Sequence, residues 1–233
     1  MMSGLCKSPL LVVIPAYNEE ASIRNTVEGL KKTCPEYDYI VINDGSTDAT
    51  LDICRENGYS TLNLPMNLGL YGAFQAGVRY AYQEGYSWVL QFDGDGQHPA
   101  ESVPEMMERA SVGDCDIVIG SRYVDDKMGW TPRQIGGRLI SLCILVVTGR
   151  KIHDPTSGMR LFGRKIIKKI ASQMNVNPEP DTLAALMKDG FRVAEVPVVM
   201  KERQAGKSYI GGLTSITYML RTCLSILLIH WFR

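Results

Sequence analysis

The chain has 233 residues, 45% of them hydrophobic and 21% charged, which excludes a disordered chain and a multi-pass membrane protein and fits one large α/β domain with a packed core. Formal net charge is zero, yet residues 1–150 hold 12 Lys/Arg against 19 Asp/Glu and residues 151–233 hold 13 against 6, an acidic half suited to a cation and a basic half suited to phosphates or anionic lipid. The six cysteines lack metal-ligand spacing and the segment before the first apolar run lacks a signal-peptide pattern, so reduced thiols and a cytoplasmic protein are expected.

Short β-rich runs at Leu10 to Ile14, Tyr39 to Ile42, Trp88 to Phe92 and Ile117 to Ile119 alternate with helix-like stretches at Ala21 to Lys32, Thr47 to Glu56, Tyr71 to Glu84 and Glu101 to Ala110. This rhythm predicts a mostly parallel sheet covered on both faces, with ligands beyond the carboxyl ends of the strands. Further on come a helical run at Leu139 to Val147, a loop at His153 to Gly158, helices at Arg164 to Gln173 and Asp181 to Asp189, and a strand at Arg192 to Val199. Residues 1–210 read as the catalytic domain and 211–233 as an amphipathic helix. Its apolar stripe is Ile216, Met219, Leu220, Cys223, Leu224, Leu227, Leu228 and Trp231, opposite Thr217, Arg221 and Ser225. With Arg221 and His230 inside it, this segment falls short of the ~20 apolar residues that span a bilayer. It is expected to lie on a membrane surface or to dock on the domain or on a second copy of the chain.

Three polar loops follow predicted strands: Pro15 to Glu19, Asn43 to Asp48, and Asp93-Gly94-Asp95-Gly96-Gln97-His98-Pro99. Two carboxylates one residue apart at a strand end suit a hard cation that takes its other ligands from substrate phosphates, and Gln97 adds a carbonyl oxygen. An EF-hand loop is excluded, because His98 and Pro104 occupy the positions of its glycine and glutamate. Asp44 and Glu19 are acceptors for a base edge or ribose hydroxyls. No dinucleotide or P-loop glycine motif occurs, so phosphates must be neutralised by a metal and by arginines.

Val13-Ile14-Pro15-Ala16-Tyr17-Asn18-Glu19, Asn43-Asp44-Gly45-Ser46-Thr47-Asp48, Asn67-Leu68-Gly69, the Asp93 to Pro99 segment, Ser121-Arg122-Tyr123 and Asp154-Pro155-Thr156-Ser157-Gly158 resemble, in order, the signatures of the family-two inverting glycosyltransferases. The nearest resemblance is to the polyprenyl-phosphate sugar transferases. It implies a GT-A fold, with a Rossmann-like mixed sheet flanked by helices, and a UDP- or GDP-sugar donor. Pro15, Ala16, Tyr17, Glu19, Asp44, Asn67, Gly69, Asp93, Gly94 and Asp95 would bind that donor, with Mg²⁺ or Mn²⁺ on Asp93, Asp95 and Gln97. Arg122 would lie near the phosphates and Arg203 on a loop closing over the donor. Two positions depart from the pattern: Asn43, where many relatives carry aspartate, and Tyr209, where the lipid-phosphate branch usually has lysine.

The expected reaction is a single displacement at the anomeric carbon, with Asp95, Arg122 and Arg203 stabilising the leaving diphosphate. Two acceptors stay open. A polyprenyl phosphate is already ionised and needs no base, with Arg122, Arg133, Arg138, Ser157, Arg203 and Ser208 as its candidate phosphate contacts. A saccharide hydroxyl needs a base, for which Asp181 or Glu179 is the candidate. Other expected partners are the inner membrane surface and a second copy of the chain through the last helix; none is a nucleic acid. An aspartyl-phosphate phosphatase and a catalytically silent nucleotide-sugar-binding protein are the competing classes.

Overall fold

The computed structural model describes residues 8–124, 131–173, 179–200 and 213–232. Seven strands, β1 (Leu10–Ala16), β2 (Asp38–Asn43), β3 (Thr61–Asn63), β4 (Trp88–Gln91), β5 (Ile117–Ser121), β6 (Arg160–Gly163) and β7 (Val193–Pro197), form one sheet in the order β3-β2-β1-β4-β6-β5-β7. β6 runs antiparallel to β4 and β5, and every other pairing is parallel. The alternation along β1 shows why the sheet is covered twice. Leu11 and Val13 pack on one face, while Leu10, Val12 and Ile14 pack on the other, as period-two side chains must.

Helices α1 (Ile23–Thr33), α2 (Thr50–Glu56) and α4 (Val103–Ser111) cover the second of these faces. The first is covered by α3 (Gly69–Glu84), α5 (Pro132–Thr148), α6 (Arg164–Ser172), α7 (Pro180–Lys188) and α8 (Leu213–Phe232). β3 and β6 are additions to the expected elements. α5 is longer than the expected Leu139 to Val147, starting at a capping box in which Thr131 accepts from the Gln134 amide and the Gln134 side chain reaches back to Thr131, a motif that offsets the helix-weakening Gly136 and Gly137.

The expected apolar stripe of α8 divides between the domain and the outer surface. Thr222, Cys223 and Ile226 face inward, Ser225 donates to Asp181 Oδ2 at 2.8 Å, and Leu220, Leu224, Leu227 and Leu228 are exposed. α8 thus joins the core beside α5 and α7. Among the described residues no helix is long and apolar enough to cross a membrane, and the five described cysteines are free and buried.

Candidate active site

The expected loops converge along the carboxyl edge of β1, β2 and β4. Pro15 and Ala16 belong to β1 itself, two residues further than the sequence suggested, and Pro15 lies past the last β1–β4 pair, where its missing N–H interrupts no ladder. Asp44, just after β2 and 2% exposed, donates its amide to the Ala16 carbonyl (2.9 Å) and accepts the Leu68 amide on Oδ1 (2.7 Å). Asn67 in turn accepts the Gly69 amide (3.0 Å). Gly45 makes this approach possible. Its φ is +66°, and a Cβ there would stand 2.8 Å from the Asn67 nitrogen and the Met66 carbonyl carbon. Burial raises the Asp44 pKa, against the lowering effect of the Leu68 and Gly69 amides.

Glu19 donates its amide to Thr50 Oγ1 (2.8 Å) and accepts the Ser22 hydroxyl on its carboxylate (2.7 Å). Asn18 and Thr47 are hydrogen-bonded across the same gap, so the loops after β1 and β2 form one wall. Tyr17 stands exposed at its edge.

The Asp-Gly-Asp turn is wedged against that wall. A Cβ on Gly94 would lie 3.0 Å from the Pro15 carbonyl oxygen and 3.7 Å from Glu19 Cγ, and the Gly94 carbonyl accepts the buried Thr26 hydroxyl of α1 (3.1 Å). His98, buried edge-on against Phe92, accepts the Asp93 amide on Nδ1 (2.9 Å). Asp95 accepts the Gln97 backbone amide on Oδ1 (3.0 Å). Asp93 Oδ1 is buried and has no hydrogen-bond partner. An orphaned carboxylate oxygen is costly unless something cationic meets it, so Asp93, Asp95 and Gln97 fit a divalent cation. Among the described residues no group of three His, Cys, Asp or Glu side chains converges, which leaves the remaining ligands to substrate oxygens and water.

On the far side of β4, Arg122 after β5 is gripped by Asp154, whose side chain is fully buried. Arg122 Nε lies 2.6 Å from Oδ2 and Nη2 lies 2.8 Å from Oδ1; the Arg122 amide also donates to Oδ2, and Nη2 donates to Thr156 Oγ1. Burial alone would raise the Asp154 pKa, but the Arg122 hydrogen bonds and charge outweigh it and hold the carboxyl below its usual range. Glu195 of β7 backs this loop by accepting the amides of His153 and Asp154 and contacting His153 Nδ1 at 2.8 Å, so His153 has a structural partner.

The remaining candidates divide. The Ser157 hydroxyl is buried and donates to the Gly120 carbonyl (2.5 Å). Both Asp181 oxygens have partners, the Thr182 amide and the Ser225 hydroxyl, each at 2.8 Å. Glu179 is half-buried at the N-cap of α7, and Arg138 is half-buried on α5. Arg203, Ser208 and the Arg133 side chain lie outside the described residues. Sequence reasoning gave no role to Asp154, Glu195 or Arg160. For Asp154 the signal was its place at the head of the Asp154 to Gly158 motif; for Arg160 it was a charge opening the apolar run Leu161-Phe162.

A mixed α/β sheet with β6 reversed and an acidic turn at its carboxyl edge defines a GT-A type transferase domain. The model of the family Glycosyl transferase family 2 matches residues 11–171. Polyprenol monophosphomannose synthase of Mycolicibacterium smegmatis is 30% identical over 218 residues, covering 87% of this chain and 81% of that protein. Undecaprenyl-phosphate mannosyltransferase of Micrococcus luteus is 30% identical over 215 residues, covering 87% and 88%. Among solved structures, glucosyl-3-phosphoglycerate synthase from Mycobacterium tuberculosis, in complex with Mn²⁺, UDP-glucose and phosphoglyceric acid, superposes with a TM-score of 0.67 at 20% identity, covering 95% of this chain and 79% of that one. The chain belongs to glycosyl transferase family 2 and is a glycosyltransferase.

Proposed function

We propose that the protein transfers a hexose from a UDP- or GDP-sugar to a polyprenyl phosphate, with inversion at the anomeric carbon and with Mg²⁺ or Mn²⁺ in the site. The observation that carries the reading is the Asp93-Gly94-Asp95 turn, where Asp93 has an orphaned buried oxygen and Gly94 abuts the loop that bears Glu19. The names of the two relatives support a lipid-phosphate acceptor and a hexose.

Asp93, Asp95 and Gln97 would hold the cation, which when bound supplies positive charge to the leaving diphosphate. Asp44 and Glu19 accept hydrogen bonds from the nucleoside and fix its depth in the rim. Arg122, oriented by Asp154, directs its exposed edge toward phosphate oxygens, where a charge-assisted bond strengthens as the glycosidic bond breaks. Arg203 is assigned to the same charge.

A lipid monophosphate, with a second pKa near ~6, attacks without a base. This acceptor asks no proton transfer of Asp181, whose two oxygens accept from Thr182 and Ser225. The second reading, transfer to a saccharide hydroxyl, requires a base, with Asp181 the first candidate and Glu179 the other. Asp181→Asn separates the two: transfer to lipid phosphate persists under the first reading, and transfer to a saccharide is abolished under the second.

The membrane surface is the proposed place of work. Ile135, Leu139, Leu142 and Val146 of α5 are exposed at helical spacing, as are Leu220, Leu224, Leu227 and Leu228 of the adjacent α8. Neither helix contains Asp or Glu, and Arg150, Lys151 and Arg221 are exposed nearby. Apolar stripes rimmed by basic residues suit an anionic lipid surface.

A thermal-shift screen of nucleotide sugars with and without Mn²⁺, followed by transfer assays to polyprenyl phosphate, tests the reading. A donor at 100 times its Kd adds about 2.7 kcal/mol, roughly 5–11 °C for a chain of this size. No stabilisation by any UDP- or GDP-sugar with metal would contradict it.

A further inference from the structure

Arg160 opens β6 and is 2% exposed. Its guanidinium serves the loop that precedes it: Nε donates to the Ser157 carbonyl at 2.9 Å and Nη2 to the Pro155 carbonyl at 2.6 Å. That loop touches the site at two separate points. At one end Asp154 holds Arg122 through three donors. At the other, Gly158 passes so close to the Asp-Gly-Asp turn that a Cβ there would lie 3.1 Å from Asp93 Oδ2 and 3.6 Å from the His98 ring. Between them the Ser157 hydroxyl ties the loop to Gly120 of β5.

We propose that Arg160 is a positioning residue for glycosyl transfer: by clamping the Pro155 and Ser157 carbonyls it sets the Arg122 and Asp93 sides of the site at a fixed separation. Filling the space under the loop would need only an apolar side chain, and burying a guanidinium for that purpose is unfavourable. A planar fork with several donors is what two carbonyls at a fixed spacing require, and a lysine ammonium cannot reproduce it. Burial lowers the Arg160 pKa, while Tyr218, Tyr71, Asp154 and Glu179 act in the opposite direction. The inference rests on the transfer reading above, because it takes Asp93 and Arg122 as the two sides of a diphosphate site.

The test compares Arg160→Lys and Arg160→Gln with the wild-type protein, normalised for folded fraction. Metal-free affinity for UDP or GDP should be kept, since Asp44 and Glu19 lie on the other wall. The Mn²⁺ concentration that half-saturates nucleotide binding should rise several-fold, and kcat should fall by about 10²-fold, the cost of a misplacement near 1 Å. A folded variant with wild-type Mn²⁺ dependence and wild-type kcat overturns the proposal. Should both variants fail to fold, the wild-type protein decides: Mn²⁺ with UDP or GDP slows exchange of the Asp154, Thr156, Ser157 and Gly158 amides, and unchanged exchange in a protein that binds the nucleotide overturns the proposal. A wild-type protein that binds no nucleotide with Mn²⁺ refutes the transfer reading itself.

Discussion

Asp154→Asn isolates the ion pair that orients Arg122. The wild-type carboxylate accepts from the Arg122 amide, Nε and Nη2 and from the Thr156 hydroxyl, with its side chain fully buried. Asparagine keeps one acceptor oxygen and turns an NH₂ toward donors, so the mostly buried Arg122 loses its counter-charge and faces a like donor. Removing one partner of a buried pair costs about 3–5 kcal/mol, which for a chain of this length lowers Tm by roughly 6–20 °C. The pH dependence has a definite sign. Arg122 holds the Asp154 pKa below its unfolded value, about 3.9, so its stabilisation is complete above that value and is lost as pH falls through the folded pKa. The Tm gap between wild type and variant, followed by circular dichroism, should be constant from pH 5 to 8 and narrow below about pH 4. A gap under 2 °C at pH 7, or one that widens in acid, would refute the reasoning.

Asp44→Asn should have the opposite profile, because burial raises the folded pKa of this carboxyl and its charge opposes folding at neutral pH. Tm at pH 7 should be equal to or above wild type, the difference vanishing as pH falls through the folded pKa, while calorimetry shows about 10- to 150-fold weaker nucleotide binding from the loss of a charged hydrogen bond. Leu142→Asp with Leu224→Asp should leave Tm nearly unchanged, since both leucines are more than half exposed, and should weaken sedimentation with anionic vesicles at least about 10-fold by removing apolar burial. Wild-type vesicle binding, or a lipid-free dimer that the substitutions dissolve, would assign the face to something other than membrane.

The parts of the fold legible in the sequence are those where one physical signal dominates. β1, β2, β4 and β5 are apolar runs buried on both faces, and their loops carry the acidic residues that the structure gathers at one edge. β3 has three residues and β6 begins with Arg160 and ends with Gly163, so neither offers an apolar run long enough to read. α5 was read short because Gly136 and Gly137 hide its first turn, although the Thr131 to Gln134 capping box was present in the sequence. In the site, the donor wall was readable from motifs. The support from Asp154 and Glu195 was not, because it joins the loop before β6 to β5 and β7, far apart in the chain, and the Arg160 bonds, though local, run to backbone carbonyls that residue type does not reveal. Which edge of α8 meets the domain is likewise set by tertiary contacts, such as that of Ser225 with Asp181, that periodicity does not encode.

The central claim is that the Asp93-Gly94-Asp95 turn grips a divalent cation together with the diphosphate of an activated sugar. Calorimetric titration of UDP and GDP into wild type and Asp95→Ala, each with and without Mn²⁺, tests it most directly. The wild type should gain affinity with Mn²⁺; in Asp95→Ala that gain should disappear while metal-free binding stays, and turnover should fall at least ~10²-fold. An Asp95→Ala protein that keeps the full Mn²⁺-dependent gain and its turnover would contradict the account.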